Sequence, residues 1–310
     1  MKSQFNSLIQ LLDFFKDEET CKVYLGQQRW GDTPACPHCG CTKAYVTNRG
    51  FKCSEKTCYK KFTVTTGTIF ENTKIKLRTW FAAMYLVTAH KKGISSLQLS
   101  RDLQITQKTA WFVLHRIREM LREKAPQMLE GTVEADETYV GGKNKNRHAS
   151  KKVENSQGRS AKDKTPVVGL LQRDGKVVTH VVKDTDSKTL HPIMVKQVLS
   201  NSTLITDAYR SYNGLGKFYN HITIKHTEGN YITVGDKHTN NIEGFWSLLK
   251  RGIIGIYHNV SPKHLQKYCD EFGYRYNNRE IKDCVRFADA VKKIGNARIT
   301  YKALIAEVTE

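Results

Sequence analysis

No apolar run in this 310-residue chain approaches the ~20 residues that a membrane span needs. The N-terminus, MKSQFNSLIQLLDFF, also lacks a basic region followed by a long apolar stretch and a small-residue cleavage site. These absences predict a cytosolic protein. Acidic side chains are scarce: 30 Asp and Glu stand against 50 Lys and Arg, giving a net charge of +20. An excess of that size favours a polyanionic partner, nucleic acid first and an anionic membrane second. No Lys/Arg-rich amphipathic helix lacking a core-facing role stands out, which weakens the membrane option. Surplus charge can also serve solubility alone. An apolar share of 39%, with 12 Phe, 14 Tyr and 4 Trp, is enough to build a core. The length allows two or three domains.

Five of the eight cysteines crowd into residues 36–58. In a cytosolic chain such clustering points to metal rather than disulfides. Cys36 and Cys39 form C-x2-C, and after 13 intervening residues Cys53 and Cys58 form C-x4-C. Two tight turns of this kind supply the four thiolates of tetrahedral zinc, and a site with no open position is structural. Cys41 is a spare that could replace Cys39, and His38 is expected at the surface. Tyr45, Val46 and Phe51 flank an Asn-Arg-Gly turn, as in a short hairpin. Lys52, Lys56, Lys60 and Lys61 give the ribbon a phosphate-facing character.

Residues 76–90 read as one buried helix. Ser95 or Ser96 can cap a short helix carrying Leu97, Leu99 and Leu103. After Ile105 in the turn, Thr106 can cap a second helix with an apolar stripe of Ala110, Val113, Leu114, Ile117 and Leu121. This matches a helix-turn-helix, with Gln107 and Lys108 at the end that would probe a DNA groove. Trp111 is expected to pack.

From residue 132 the pattern changes to strands: TVEADETYVGG, a hairpin turning at Asp174-Gly175, STLITDAYRSY and HITIKH. Helices are expected after a capping Ser187, over HTNNIEGFWSLLK, and from Ser261-Pro262. The alternation suggests an α/β sheet with helices against it. Asp136 and Asp207 sit at the ends of apolar strands, where a carboxylate is costly unless exposed or bound to a cation. Two such acids and one from a helix can hold two Mg²⁺ ions for phosphoryl transfer. In HTNNIEGFWSLLK, Glu243 and Lys250 lie close to two turns apart and share a helix face, while Phe245, Leu248 and Leu249 pack. Glu137 should point to the face of its strand opposite Asp136, and Glu134 to the same face. Glu134, Glu137, Asp184, Asp186 and Asp236 are read as structural. Residues 143–164 contain eight Lys/Arg and two acids. They form a polar insertion that can clamp DNA phosphates through residues such as Lys143, Lys145 and Arg147, or serve as a linker.

Asp136, Asp207 and Glu243, with Lys250 seven positions further on, resemble the catalytic motif of DDE transposases and retroviral integrases. The blocks CPHCG, TTGTIFENTK, SLQLSRDL, TAWFVLHRIR, EADETYVGGK, HTNNIEGFWSLLKRG and YCDEFGYRYNNR resemble zinc-ribbon transposases of the insertion-sequence 1595 family, over about residues 15–280. The resemblance implies a ribonuclease-H-like α/β catalytic domain, a mixed sheet with flanking helices, over residues 127–282. A segment with the zinc ribbon (1–66) and a helix-turn-helix domain (67–126) would precede it, and a helical tail (283–310) would follow. Asp136 and Asp207 would hold metal and Glu243 complete the triad. Asn240, one turn earlier, is the alternative third residue. Lys250 would meet DNA near the scissile phosphate, with Arg251 adding charge. Two Mg²⁺ ions, replaceable by Mn²⁺, and structural Zn²⁺ are the implied cofactors. Element ends and target DNA are the implied partners, bound by at least a dimer in the cytoplasm at the nucleoid. Two other functions share parts of this pattern: a non-catalytic DNA-binding regulator, and a nuclease without strand transfer.

Overall fold

A computed structural model describes residues 5–142, 148–154, 160, 162–224, 238–295 and 297–306. Lys143, Lys145, Arg147 and Asp236 lie outside the described residues. The chain divides into two compact units, one of residues 1–121 with 280–310 and one of residues 122–279.

The first unit opens with helices α1 (Leu8–Phe14) and α2 (Glu18–Trp30). Ser7 and Asp17 cap them by accepting the backbone N–H of Gln10 and Thr20. A three-stranded antiparallel sheet follows: β1 (Ala44–Thr47), β2 (Gly50–Cys53) and β3 (Lys61–Phe62). Its hairpin turns at Asn48-Arg49, and Gly50 takes the positive φ of 133° that a side chain would resist. Helix α3 (Leu77–Ala89) is buried almost throughout. Helix α4 (Ser96–Leu103) is capped by Ser95, which accepts from Gln98 N–H. The turn passes through Gln104 in the left-handed region. Thr106 then accepts from Thr109 N–H to start α5 (Gln107–Leu121). The stripe Ala110, Val113, Leu114, Ile117 and Leu121 is buried, but so are His115, Arg116 and Arg118. Arg116 donates to the carbonyls of Ile299 and Glu71.

Near the C-terminus stand α9 (Asp283–Lys292) and α10 (Tyr301–Ile305), numbered along the chain. The sequence offered a separate tail here, whereas these helices belong to the first unit. Phe287 of α9 enters an aromatic cluster with Phe5, Phe15 and Phe81, its ring 5.7 Å from that of Phe81. Arg286 donates to Thr88 O at the end of α3. The apolar periodicity of a short terminal helix does not say which core receives it.

The second unit is a five-stranded mixed sheet in the order β6-β5-β4-β7-β8. Its strands are β4 (Thr132–Val140), β5 (Thr165–Gln172), β6 (Val177–Val181), β7 (Thr203–Asp207) and β8 (Asn220–Ile224). β4, β5 and β6 run antiparallel, while β7 and β8 run parallel to β4. Helix α6 (Ser187–Gln197) covers one face, and α7 (Asn240–Gly252) and α8 (Pro262–Asn277) cover the other. This is the ribonuclease-H-like mixed sheet with flanking helices that the resemblance implies. Alternation along β4 assigns the faces. Val133 and Ala135 join Leu190, Met194 and Tyr212 on the α6 side. On the α7 side Val140, Val167 and Leu171 meet Ile242, Phe245, Trp246 and Leu249. At α6 the cap position is Asp186 rather than Ser187, which is the first helical residue. Asp184 accepts from Thr189 Oγ1 and Asp186 N–H, the loop-capping role expected of it.

Candidate functional site

Cys36, Cys39, Cys53 and Cys58 converge so that their sulfur atoms all lie within 4.8 Å of one another. Cys36 and Cys58 are 3.8 Å apart and Cys39 and Cys53 3.5 Å. Four Zn–S bonds of 2.3 Å at tetrahedral angles put sulfurs ~3.8 Å apart, so the donor set fits zinc. Burial and the neighbouring sulfurs push the Cys53 thiol up to about 12. Against its own burial penalty, the His38 and Cys39 backbone N–H groups hold Cys36 below the usual thiol range. Cys41 is outside this set and lies against Lys43 O and Ser54.

In the second unit the parallel register pairs Glu134 with Ile205. Continued by two residues, it brings Asp136 opposite Asp207 at the end of β7. Among the described residues, Asp136, Glu137 and Asp207 present carboxylate oxygens all within 4.8 Å of one another. Glu137 sits on the α6 face of β4, as alternation requires, and accepts 2.7 Å from the buried Tyr212 hydroxyl. Its carboxylate nevertheless reaches the other two acids, where the sequence assigned it a purely structural role. Asp207 Oδ1 also accepts Tyr209 N–H, which fixes the loop leaving β7. Burial first, then Glu137 and Asp207, pushes Asp136 up to about 7. Three crowded carboxylates of this kind suit a hard divalent cation with oxygen ligands, such as Mg²⁺ or Mn²⁺.

Helix α7 is held against this cluster at two points. Glu134, fully buried, accepts from Asn241 Nδ2 and Ile242 N–H at the start of the helix. A carboxylate there offsets the positive end of the helix dipole. Arg173 completes the latch, donating to Glu134 at 2.9 Å and to His238 O. One turn further, Trp246 Nε1–H donates to Asp136 Oδ2 at 3.0 Å. Glu134 thus shares the Asp136 face and plays a structural part.

Glu243 is exposed on α7, and its Oε1 accepts from the Thr239 hydroxyl at 3.0 Å. It is not one of the three mutually close acids. Lys250 is exposed two turns beyond it, Arg251 Nε donates to Ser247 O, and Asn240 is exposed at the first turn. In the first unit, Gln107 donates to Ser96 Oγ, and Lys108 stands 5.2 Å over the Tyr301 ring. Sequence reasoning did not single out Trp246, Tyr212, Arg173 or Gly169. Only Gly169 left a trace, as an isolated glycine within a strand.

Residues 128–277 match the family model of the ISXO2-like transposase domain, and residues 16–61 that of the transposase zinc-ribbon domain. A protein of transposable element ISH50 from Halobacterium salinarum is 29% identical over 276 residues, covering 84% of this chain and 91% of that one. A transposase-like protein from Haemophilus influenzae is 33% identical over 108 residues, covering 34% of this chain and 85% of that one. Among solved structures, a Mos1 transposase paired-end complex overlaps 69% of this chain and 75% of that chain at 13% identity. The TM-score of that overlap is 0.29. Among the described residues no helix is long and apolar enough to cross a membrane.

Proposed function

The chain belongs to the insertion-sequence 1595 family of transposases, and from that premise we propose that it cuts DNA at the ends of its element and joins them to target DNA. The observation that carries this is the meeting of Asp136 and Asp207 on adjacent parallel strands, beneath a helix that bears Glu243 and Lys250. Two divalent cations held by Asp136, Asp207 and Glu243, with Glu137 alongside, would activate the attacking oxygen and neutralise the leaving one. Mg²⁺ is the expected ion and Mn²⁺ its substitute.

Glu243, three residues before Trp246, lies about 60° around α7 from the side that meets Asp136, and would leave its Thr239 partner to join the acids. Glu243 is preferred to Asn240 as third residue because an anionic oxygen holds a hard cation better than an amide. Lys250 and Arg251 face solvent from the same helix and would pair with phosphates flanking the scissile bond. In the first step water attacks the phosphodiester at the element end and releases a 3′-hydroxyl. In the second that hydroxyl attacks a target phosphodiester in line, and the target's 3′-oxygen leaves. Neither step needs a protein nucleophile.

Residues 1–66 and 67–126 would recognise the terminal repeats, through the ribbon and through Gln107 and Lys108 at the start of α5. Both side chains would exchange their present partners for DNA. The basic stretch 143–164, with Lys143, Lys145 and Arg147, would clamp phosphates beside the site in residues 127–282. Two ends must meet, so a homodimer or larger assembly on DNA is expected, acting in the cytoplasm at the nucleoid. The test is Mg²⁺-dependent nicking of end DNA by wild type, Glu243→Gln and Asn240→Ala. Loss in Glu243→Gln with activity kept in Asn240→Ala supports the assignment. The reverse pattern moves the third role to Asn240, and DNA binding without nicking by wild type favours a regulator.

A further inference from the structure

Trp246 is the one tryptophan within residues 122–279, and it is 4% exposed. A buried indole needs an acceptor for its N–H, and this one has taken a carboxylate oxygen, Asp136 Oδ2, at 3.0 Å. To reach it the ring crosses β5 at Gly169, which stands directly opposite Asp136 in the antiparallel register. A Cβ at Gly169 would lie 2.5 and 2.6 Å from two carbons of the indole and 2.9 Å from Ile242 Cδ1. Real side chains do not approach so closely, so the absent side chain at 169 makes the notch in which the ring sits. The neighbours do not offer an equivalent notch: Val167 and Leu171, two positions away on the same face, both carry branched side chains that pack against α7.

The bond has two consequences. It fixes the plane of the Asp136 carboxylate by engaging one oxygen, leaving the remaining lone pairs for a cation. Partners of this sort orient a metal-binding side chain without touching the metal. It also ties β4, which carries Asp136, to α7, which carries Glu243 three residues before the indole. The Glu134 latch holds the start of the helix, Ile242, Phe245 and Leu249 pack its buried face, and Trp246 adds the one hydrogen bond among these contacts that goes to Asp136 itself.

We propose that Trp246, seated in the notch left by Gly169, is a positioning residue that orients Asp136 for divalent-metal binding and sets α7 over the site. This rests on the function proposed above. Packing alone would make Trp246 replaceable by Phe, which fills most of the space and lacks the N–H.

The experiment measures Mn²⁺ binding by calorimetry on the full, zinc-loaded chain, with melting temperature recorded beside it. The proteins are wild type, Trp246→Phe, Gly169→Ala and Asp136→Asn. In parallel, the indole ¹⁵N–H resonance of Trp246 is followed in wild type as Mg²⁺ is added. The expected result is an affinity lowered about 10-fold or more in Trp246→Phe, a similar loss in Gly169→Ala, and a resonance that moves on Mg²⁺ addition. Asp136→Asn should bind at background level. If Trp246→Phe binds Mn²⁺ as wild type does while Asp136→Asn does not, the positioning role is overturned and the functional proposal stands. If Asp136→Asn binds like wild type, the functional proposal itself fails. Should Trp246→Phe not fold, the wild-type resonance decides: movement with Mg²⁺ supports the role, and an unmoved resonance overturns it.

Discussion

Replacing Asp136 with Asn should stabilise the Mg²⁺-free protein while destroying its response to Mg²⁺. Burial, then the charges of Glu137 and Asp207, raise this carboxyl from 3.8 to about 7. The folded state therefore keeps a proton that the unfolded chain releases. Because the folded value is the higher one, stability from this group falls as pH rises from about 4 to about 7 and stays low above that. At ~1.4 kcal/mol per pH unit, the loss reaches a ceiling of about 4 kcal/mol. Asn carries no charge and still offers an oxygen to the Trp246 N–H. At pH 8 the variant should unfold later than wild type by as much as about 8–16 °C, taking ~2–4 °C per kcal/mol for a unit of this size. At pH 5 most of that gap should close. The assay is thermal unfolding in Mg²⁺-free buffer with zinc retained, read from tryptophan fluorescence between pH 5 and 8. Adding Mg²⁺ or Mn²⁺ should raise wild type and leave the variant where it was. A gap that does not change with pH, or a variant stabilised by metal as much as wild type, refutes the reasoning.

Other outcomes follow from the same contacts. Glu134→Ala leaves Arg173 and the first turn of α7 without their buried carboxylate, and should cost about 3–5 kcal/mol in urea unfolding of the second unit. Glu243→Gln changes an exposed side chain, so stability should stay within about 0.5 kcal/mol of wild type while strand cutting is lost, as melting and nicking measured on one preparation will show. Zinc uptake by the four cysteines must displace protons, including that of Cys53, whose thiol is raised to about 12. Apparent zinc affinity should therefore rise with pH, and chelation should remove the ribbon's circular-dichroism signal, with a colorimetric chelator counting the zinc released.

The parts of the molecule governed by local spacing were legible in the sequence. Four cysteines in two short turns specify a chelate without knowledge of the rest of the fold. The alternation of β4 placed Glu134 with Asp136 on one face and Glu137 on the other, and the structure keeps that alternation. The sequence did not show that Glu137 reaches round to the acids from the far face, because that depends on β7 ending at Asp207 and on Tyr212 standing 75 residues away. Nothing in the sequence of its own helix marked out Trp246. Its hydrogen bond exists only because Gly169, on a strand formed much earlier in the chain, leaves room for the ring. Arg173 sits in a hairpin turn, where nothing local marks it as half of a latch that reaches His238, 65 residues later and just before α7. The C-terminal helices were seen as helices, but only packing shows that Phe287 completes the aromatic core of the first unit.

The central claim is tested most directly by incubating the protein with a plasmid carrying the element's own two ends, in Mg²⁺ or Mn²⁺, beside Asp207→Asn. The account predicts metal-dependent 3′-hydroxyl ends and DNA joined to target with wild type, and neither with the variant. Cut ends that are never joined would contradict the transposase in favour of a nuclease, and products from Asp207→Asn at the wild-type rate would contradict the site.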